Sequence, residues 1–112
     1  MSDASSPAGR PVQFLFVCVS RQAEGPPATE LSEDEVRKEH RAYLQDLHDR
    51  GLLYGSGPQR DSSGTDHGGG IHVLQNVDDI DTAREIAARE PFIREGFRTL
   101  EVFAGRRVWF AP

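Results

Sequence analysis

Residues 39–58, EHRAYLQDLHDRGLLYGSGP, read as the end of a helix, a glycine stop, a strand and a turn. Val36, Tyr43, Leu44 and Leu47 recur at helical spacing and form one apolar stripe, and His40 falls on that stripe. A titratable ring on the core-facing side of a helix is the most informative feature of the chain. Gly51 predicts the helix stop, in the left-handed position glycine adopts without penalty. Upstream, Ser32 and Glu35 have the spacing of a capping box, and the acidic first turn Glu33-Asp34-Glu35 suits the positive end of the helix dipole. Downstream, Leu52 to Pro58 predicts a strand weakened by Gly55 and Gly57.

Working outward, Val12 to Val19 (VQFLFVCV) predicts a first strand. Its apolar character is nearly continuous, whereas a strand with one wet face would alternate. It must therefore be covered on both sides. A helix layer from the same chain covers one. The other has no cover within so short a chain, which predicts the sheet of a second subunit, with Phe14, Phe16, Trp109 or Phe110 contributing to that face. Ser20 to Glu30, with Gly25, Pro26 and Pro27, reads as a loop that either folds over a pocket mouth or is a solvated linker.

Arg60 to Gly70 is polar and glycine-rich and predicts a hairpin connection into a third strand, Ile71 to Val77. Asp78 or Asp79 caps a second helix running to about Glu90, where Pro91 favours a break. Phe92 to Gly96 makes a further turn, and Phe97 to Phe110 a last strand with a kink or bulge near Ala104-Gly105. The order β-α-β-β-α-β predicts an α+β, ferredoxin-like domain: two helices on one face of a four-stranded antiparallel sheet. Two such sheets facing each other make a dimeric α+β barrel. Residues 1–10 read as a loose tail and 11–112 as the single domain.

The chain has 112 residues, with 13 Lys and Arg against 18 Asp and Glu, for a net charge of −5. That balance argues against a broad nucleic-acid footprint but not against a small neutral or anionic ligand in a local pocket. Cys18 is the only cysteine, so no intrachain disulfide forms, and its apolar surroundings make it an inert core residue. The N-terminal MSDASSPAGR predicts no signal peptide, and no run predicts a membrane helix. A cytoplasmic homodimer is the expectation.

The second helix carries its apolar stripe at Ile80, Ala83 and Ala87, and Glu90 continues that spacing. A carboxylate on the inner side of a helix C-terminus is disfavoured by burial and by the dipole, so it needs a partner. Antiparallel helices bring the start of the first and the end of the second to one end of the sheet, where His40 and Glu90 can meet. The alternatives are that His40 is a satisfied core histidine and that Glu90 turns outward to Arg94. A histidine oriented by a carboxylate is an acid–base arrangement. Ser20, Ser56 and Tyr54 carry no activating motif for covalent catalysis.

Gly68-Gly69-Gly70 and Gly55-Ser56-Gly57 lack the following helix and lysine of a phosphate loop and read as turns or strand irregularities. Asp66, His48, His67 and His72 lack ligand-pair spacing, so no metal is expected. Arg84, Arg89, Arg94 and Arg98 look mainly solvated, with one of them available to an anionic substrate.

The chain resembles the YCII-related family. The match lies in His40, His48-Asp49, Gly51, Leu53 and Gly57-Pro58, then Glu90-Pro91-Phe92 and Gly96. The family's second motif usually carries aspartate where this chain has Glu90. The resemblance implies the ferredoxin-like fold and the dimeric barrel. It also implies a His40–Glu90 site in which the longer carboxylate alters contact with the ring, and in a few relatives dehydrochlorination of chlorinated hydroxyquinols. Three functions follow as expectations: a small acid–base enzyme without metal or organic cofactor, a non-catalytic ligand-binding or regulatory dimer, or a structural dimer with a buried ion pair and no cavity beside it.

Overall fold

The computed structural model describes residues 14–106, apart from the side chain of His67. In chain order the elements are β1 (Phe14–Gln22), α1 (Glu33–Asp49), β2 (Leu53–Arg60), β3 (Asp66–Leu74), α2 (Ile80–Ala88), α3 (Pro91–Arg94) and β4 (Arg98–Arg106). The four strands form one antiparallel sheet in the order β2-β3-β1-β4, the ferredoxin-like arrangement, in an α+β domain.

Local chemistry explains the helices. The Ser32 hydroxyl accepts the Glu35 amide N–H while the Glu35 carboxylate accepts the Ser32 N–H, so the capping box forms in both directions. Gly51 takes the left-handed conformation, with φ of 72°, directly after α1. Of the two candidate caps for α2, Asp79 is the one used: its carboxylate accepts the Thr82 N–H at 2.7 Å.

Side chains on one sheet face alternate, and the register assigns them. Phe16, Leu74 and Leu53 stand in one row and Cys18, His72 and Ser56 in the next, all toward the helices. Phe16, Cys18 and Leu74 there pack with Leu47 of α1 and Ala83 and Ala87 of α2 into the core. Cys18 is buried and its thiol is pushed up to about 12 by that burial, which suits an inert side chain.

Several expectations are corrected. Phe16 belongs to the core, not to the face away from the helices, and Phe14 shares its side. In a run with almost no polar residue the alternation cannot be read, so the parity was open. The face away from the helices carries Val17, Val73 and Phe103 in one row and Val19 and Ile71 in the next. Trp109 and Phe110 lie outside the described residues.

The strands also run further into polar sequence. β1 continues through Ser20, Arg21 and Gln22, which pair with Leu100, Thr99 and Arg98. β3 starts at Asp66, so the three glycines lie in a strand, with an irregularity in its pairing falling next to Gly68 and no turn there, and only residues 61–65 form the hairpin loop. Ladder hydrogen bonds need backbone, not apolar side chains, and a glycine run gives no alternation to read. The register of β1 with β4 is unbroken across Ala104 and Gly105, where a kink was expected; the irregularities fall instead in the pairing of β2 with β3.

Candidate functional site

Where β2 and β3 approach β1, the sheet is built of Gly57, Gly68, Gly69 and Gly70. Gly70, on the helix side of the sheet in line with His72, puts no side chain there, and a cleft of about 700 Å³ remains under the N-terminal half of α1. His40 and Leu44 of α1, His72 of β3, Glu90, Phe92 and Arg98 line it. Residues 23–32 do not, so the long loop after β1 acts as a linker: Ala23 N–H bonds to Phe97 O, and Gly96 approaches Ala28.

His40 and Glu90 meet. Nδ1 of His40 lies 2.5 Å from Oε1 of Glu90; the ring is 25% exposed and the carboxylate 2%. Glu90 does not end α2, as its spacing suggested, because α2 stops at Ala88. It caps α3 instead: Oε1 accepts the Phe92 N–H and Oε2 the Ile93 N–H, each at 3.2 Å, with Pro91 following in the first helical position. The electrostatics reverse accordingly, since the charge faces amide hydrogens and not carbonyl oxygens.

Burial pushes the Glu90 carboxyl up, but the hydrogen bond from His40, the Phe92 amide and the charges of His40 and Arg98 outweigh it. The group is held below the usual carboxylate range. With glutamate at this position the carboxylate is in direct contact with the ring. Arg94, the alternative partner, is engaged elsewhere, with Glu39 and Glu95 at 2.6 Å each. Because Nδ1 faces Glu90, Nε2 is the ring nitrogen left for a ligand.

Of the four arginines weighed from sequence, Arg98 is the one at the cleft. It is half-buried, its guanidinium 4.1 Å from the centre of the Phe92 ring, and desolvation lowers its pKa. Its terminal nitrogen sits beside Gly70, where an added Cβ would come within 3.3 Å of it. Arg37 approaches the same phenyl ring at 5.5 Å but is paired with Glu33. Arg84 pairs with Asp81, and Arg89 is exposed.

From the sequence His72 stands out only beside Asp66, His48 and His67. Its two-residue spacing from the inward Leu74 is the signal that places it on the helix side. The ring is 6% exposed and its Nε2 lies 3.1 Å from the Tyr43 hydroxyl. His48 is exposed on α1, and among the described residues no three His, Cys, Asp or Glu side chains gather to hold a metal ion.

Desolvation lowers the His72 pKa to about 4, with the charge of Glu90 opposing that shift and His40 adding to it. The unfolded chain takes up this proton near the ordinary histidine value and the folded chain does not. Stability is therefore unaffected by His72 above pH ~6.5 and falls as pH drops toward ~4, by about 3 kcal/mol in all. Urea unfolding as a function of pH checks this: the slope between those limits is expected to shrink in His72→Gln, and an equal slope in the variant would refute the assignment.

Among the described residues no helix is long and apolar enough to cross a membrane. No curated protein matches the chain. Among solved structures, 5-chloro-2-hydroxyhydroquinone dehydrochlorinase (TftG) from Burkholderia phenoliruptrix AC1100, in complex with 2,5-dihydroxybenzoquinone, is similar over 80% of this chain and 90% of that one, at 21% identity and a TM-score of 0.56. At that identity the likeness speaks for the fold. The YCII-related domain matches residues 14–106, nearly everything from the first strand to the last, and the chain belongs to that family.

Proposed function

We propose that this protein is a small-molecule enzyme in which His40 transfers a proton, oriented by Glu90, in a cofactor-independent elimination, dehydrochlorination or isomerisation. The observation that carries the reading is the short His40–Glu90 contact on the wall of an open cleft. A carboxylate held ionised at Nδ1 fixes the ring's tautomer and leaves Nε2 as the nitrogen that can accept a proton. Nε2 would take a proton from a hydroxyl or an enolisable carbon of the ligand. The freed electron pair forms a C=O or C=C bond. In elimination, chloride or another leaving group departs with its bonding pair; in isomerisation the proton returns at another carbon. Arg98, over the Phe92 ring, would hold the anionic end of the ligand or the oxyanion as it develops. The cleft itself speaks against a purely structural ion pair, which needs no cavity beside it.

Turnover of a panel of hydroxylated and chlorinated aromatics and lactones tests this, with His40→Ala as the control. Ligand that binds the folded chain also raises its melting temperature by mass action, so a thermal-shift screen over the same panel finds binders that are not turned over. Binding without turnover would favour the non-catalytic ligand-binding reading; no binding at all would remove both.

A homodimer through the sheet belongs to the same proposal. Phe103 is 52% and Ile71 36% exposed on the face away from the helices, and Val17 and Val73 flank them. Contiguous apolar surface of this kind marks an interface. Sedimentation equilibrium should give a dimer that Phe103→Glu converts to monomer; a monomeric wild type at micromolar concentration would overturn it.

A further inference from the structure

Tyr43 of α1 fixes the hydrogen of a second histidine in the cleft. Its hydroxyl oxygen lies 3.1 Å from His72 Nε2 and 3.1 Å from the carbonyl oxygen of Ile86. A carbonyl oxygen only accepts, so the single hydroxyl hydrogen belongs between Tyr43 and Ile86; otherwise two oxygens would face each other with lone pairs. The hydroxyl can then only accept from His72, and Nε2 must carry a hydrogen. Burial holds the ring neutral at physiological pH. A neutral imidazole has one hydrogen, so Nδ1 is a bare acceptor. The ring is 6% exposed, lines the cleft, and among the described residues has no hydrogen bond at Nδ1. Buried acceptors are nearly always satisfied, and an unsatisfied one calls for an explanation.

We infer that His72 Nδ1 accepts a hydrogen bond from a hydroxyl or N–H group of the ligand, so that His72 selects a ligand carrying that donor over its methyl ether. This rests on the cleft being a small-molecule site and adds to it a requirement on the ligand: a donor, placed so that His40 can reach the same molecule. The charges of His40 and Glu90 both act on the His72 ring, so the two histidines share one region of the cleft. His72 does not transfer the proton here; it reads a group that His40 does not touch.

Two substitutions separate reading from packing. His72→Gln places its amide near the position of Nε2, keeping the contact with Tyr43 while removing the acceptor. His72→Asn keeps an acceptor near Nδ1 and gives up Tyr43. The probes are hydroxylated aromatics paired with their methyl ethers: catechol with guaiacol, gentisate with its dimethyl ether, and para-hydroxybenzoate with para-anisate. Wild type is expected to bind the hydroxylated member about tenfold tighter or more, since an ether leaves the buried acceptor unpaired. His72→Gln should bring the members of a pair within about threefold of each other, and His72→Asn should keep the preference at a lower melting temperature. Nitrogen NMR of the free protein at neutral pH should show the hydrogen on Nε2. A hydrogen on Nδ1, or full discrimination surviving in His72→Gln, overturns the inference while leaving the cleft reading intact. Failure of every probe to bind overturns both.

Discussion

Glu90→Ala is expected to cost about 3–5 kcal/mol of stability, since it leaves two helix-end amides without an acceptor at about 1–3 kcal/mol each and empties a buried site. One side chain, 2% exposed, satisfies the Phe92 and Ile93 amides and engages His40. Alanine leaves those amides without their acceptor and opens a void beneath α3. For a domain of this size the loss corresponds to a fall in melting temperature on the order of 20 °C. Glu90→Gln keeps the volume and one carbonyl oxygen, so its cost should be smaller, about 1–2 kcal/mol. Calorimetry of the two variants beside wild type measures both. A melting temperature for Glu90→Ala within a few degrees of wild type would mean that the carboxylate does not hold this corner of the fold.

His40→Ala should do the opposite, leaving the fold nearly intact and removing turnover. Its ring is partly exposed, and without it Glu90 retains both amide donors. Loss of a positioned general base lowers rates by about 10²–10⁴. Steady-state kinetics on any substrate found in the panel would show this mainly in kcat, because proton transfer contributes in the transition state more than in ground-state binding. Equal turnover in His40→Ala and wild type would dismiss the ring from the chemistry. The two substitutions would then separate a carboxylate that holds the fold from a ring that does not.

The helix at the centre of the sequence reading was legible because its ends are marked by short-range chemistry: Ser32 and Glu35 at one end, Gly51 at the other. The meeting of His40 with Glu90 was legible from topology, since the strand order brings those two ends together. The manner of the meeting was not. Glutamate is an uncommon helix cap, and its spacing from Ala83 and Ala87 argued for one helix running into Pro91 when two were formed. The extent of β3 was hidden because Gly68 to Gly70 carry no side chains from which a period can be read. The environment of His72 depends on Tyr43, which is distant in sequence and comes from another element. Which arginine enters the cleft was equally a matter of strand parity, and Arg98 could be told from its neighbours only with the register in hand.

The Arg98 guanidinium occupies the space that any side chain at position 70 would claim; a single methyl there would come within 3.3 Å of its nitrogen. The electrical character of the cavity is thus governed from a residue that contributes no functional group. A side chain at position 70 would press the guanidinium aside, slightly for a methyl and further for a larger group, and so alter the charge on the cavity wall while His40 and Glu90 stayed as they are. Relatives could in this way diverge in what they accept long before they diverge in what they do to it.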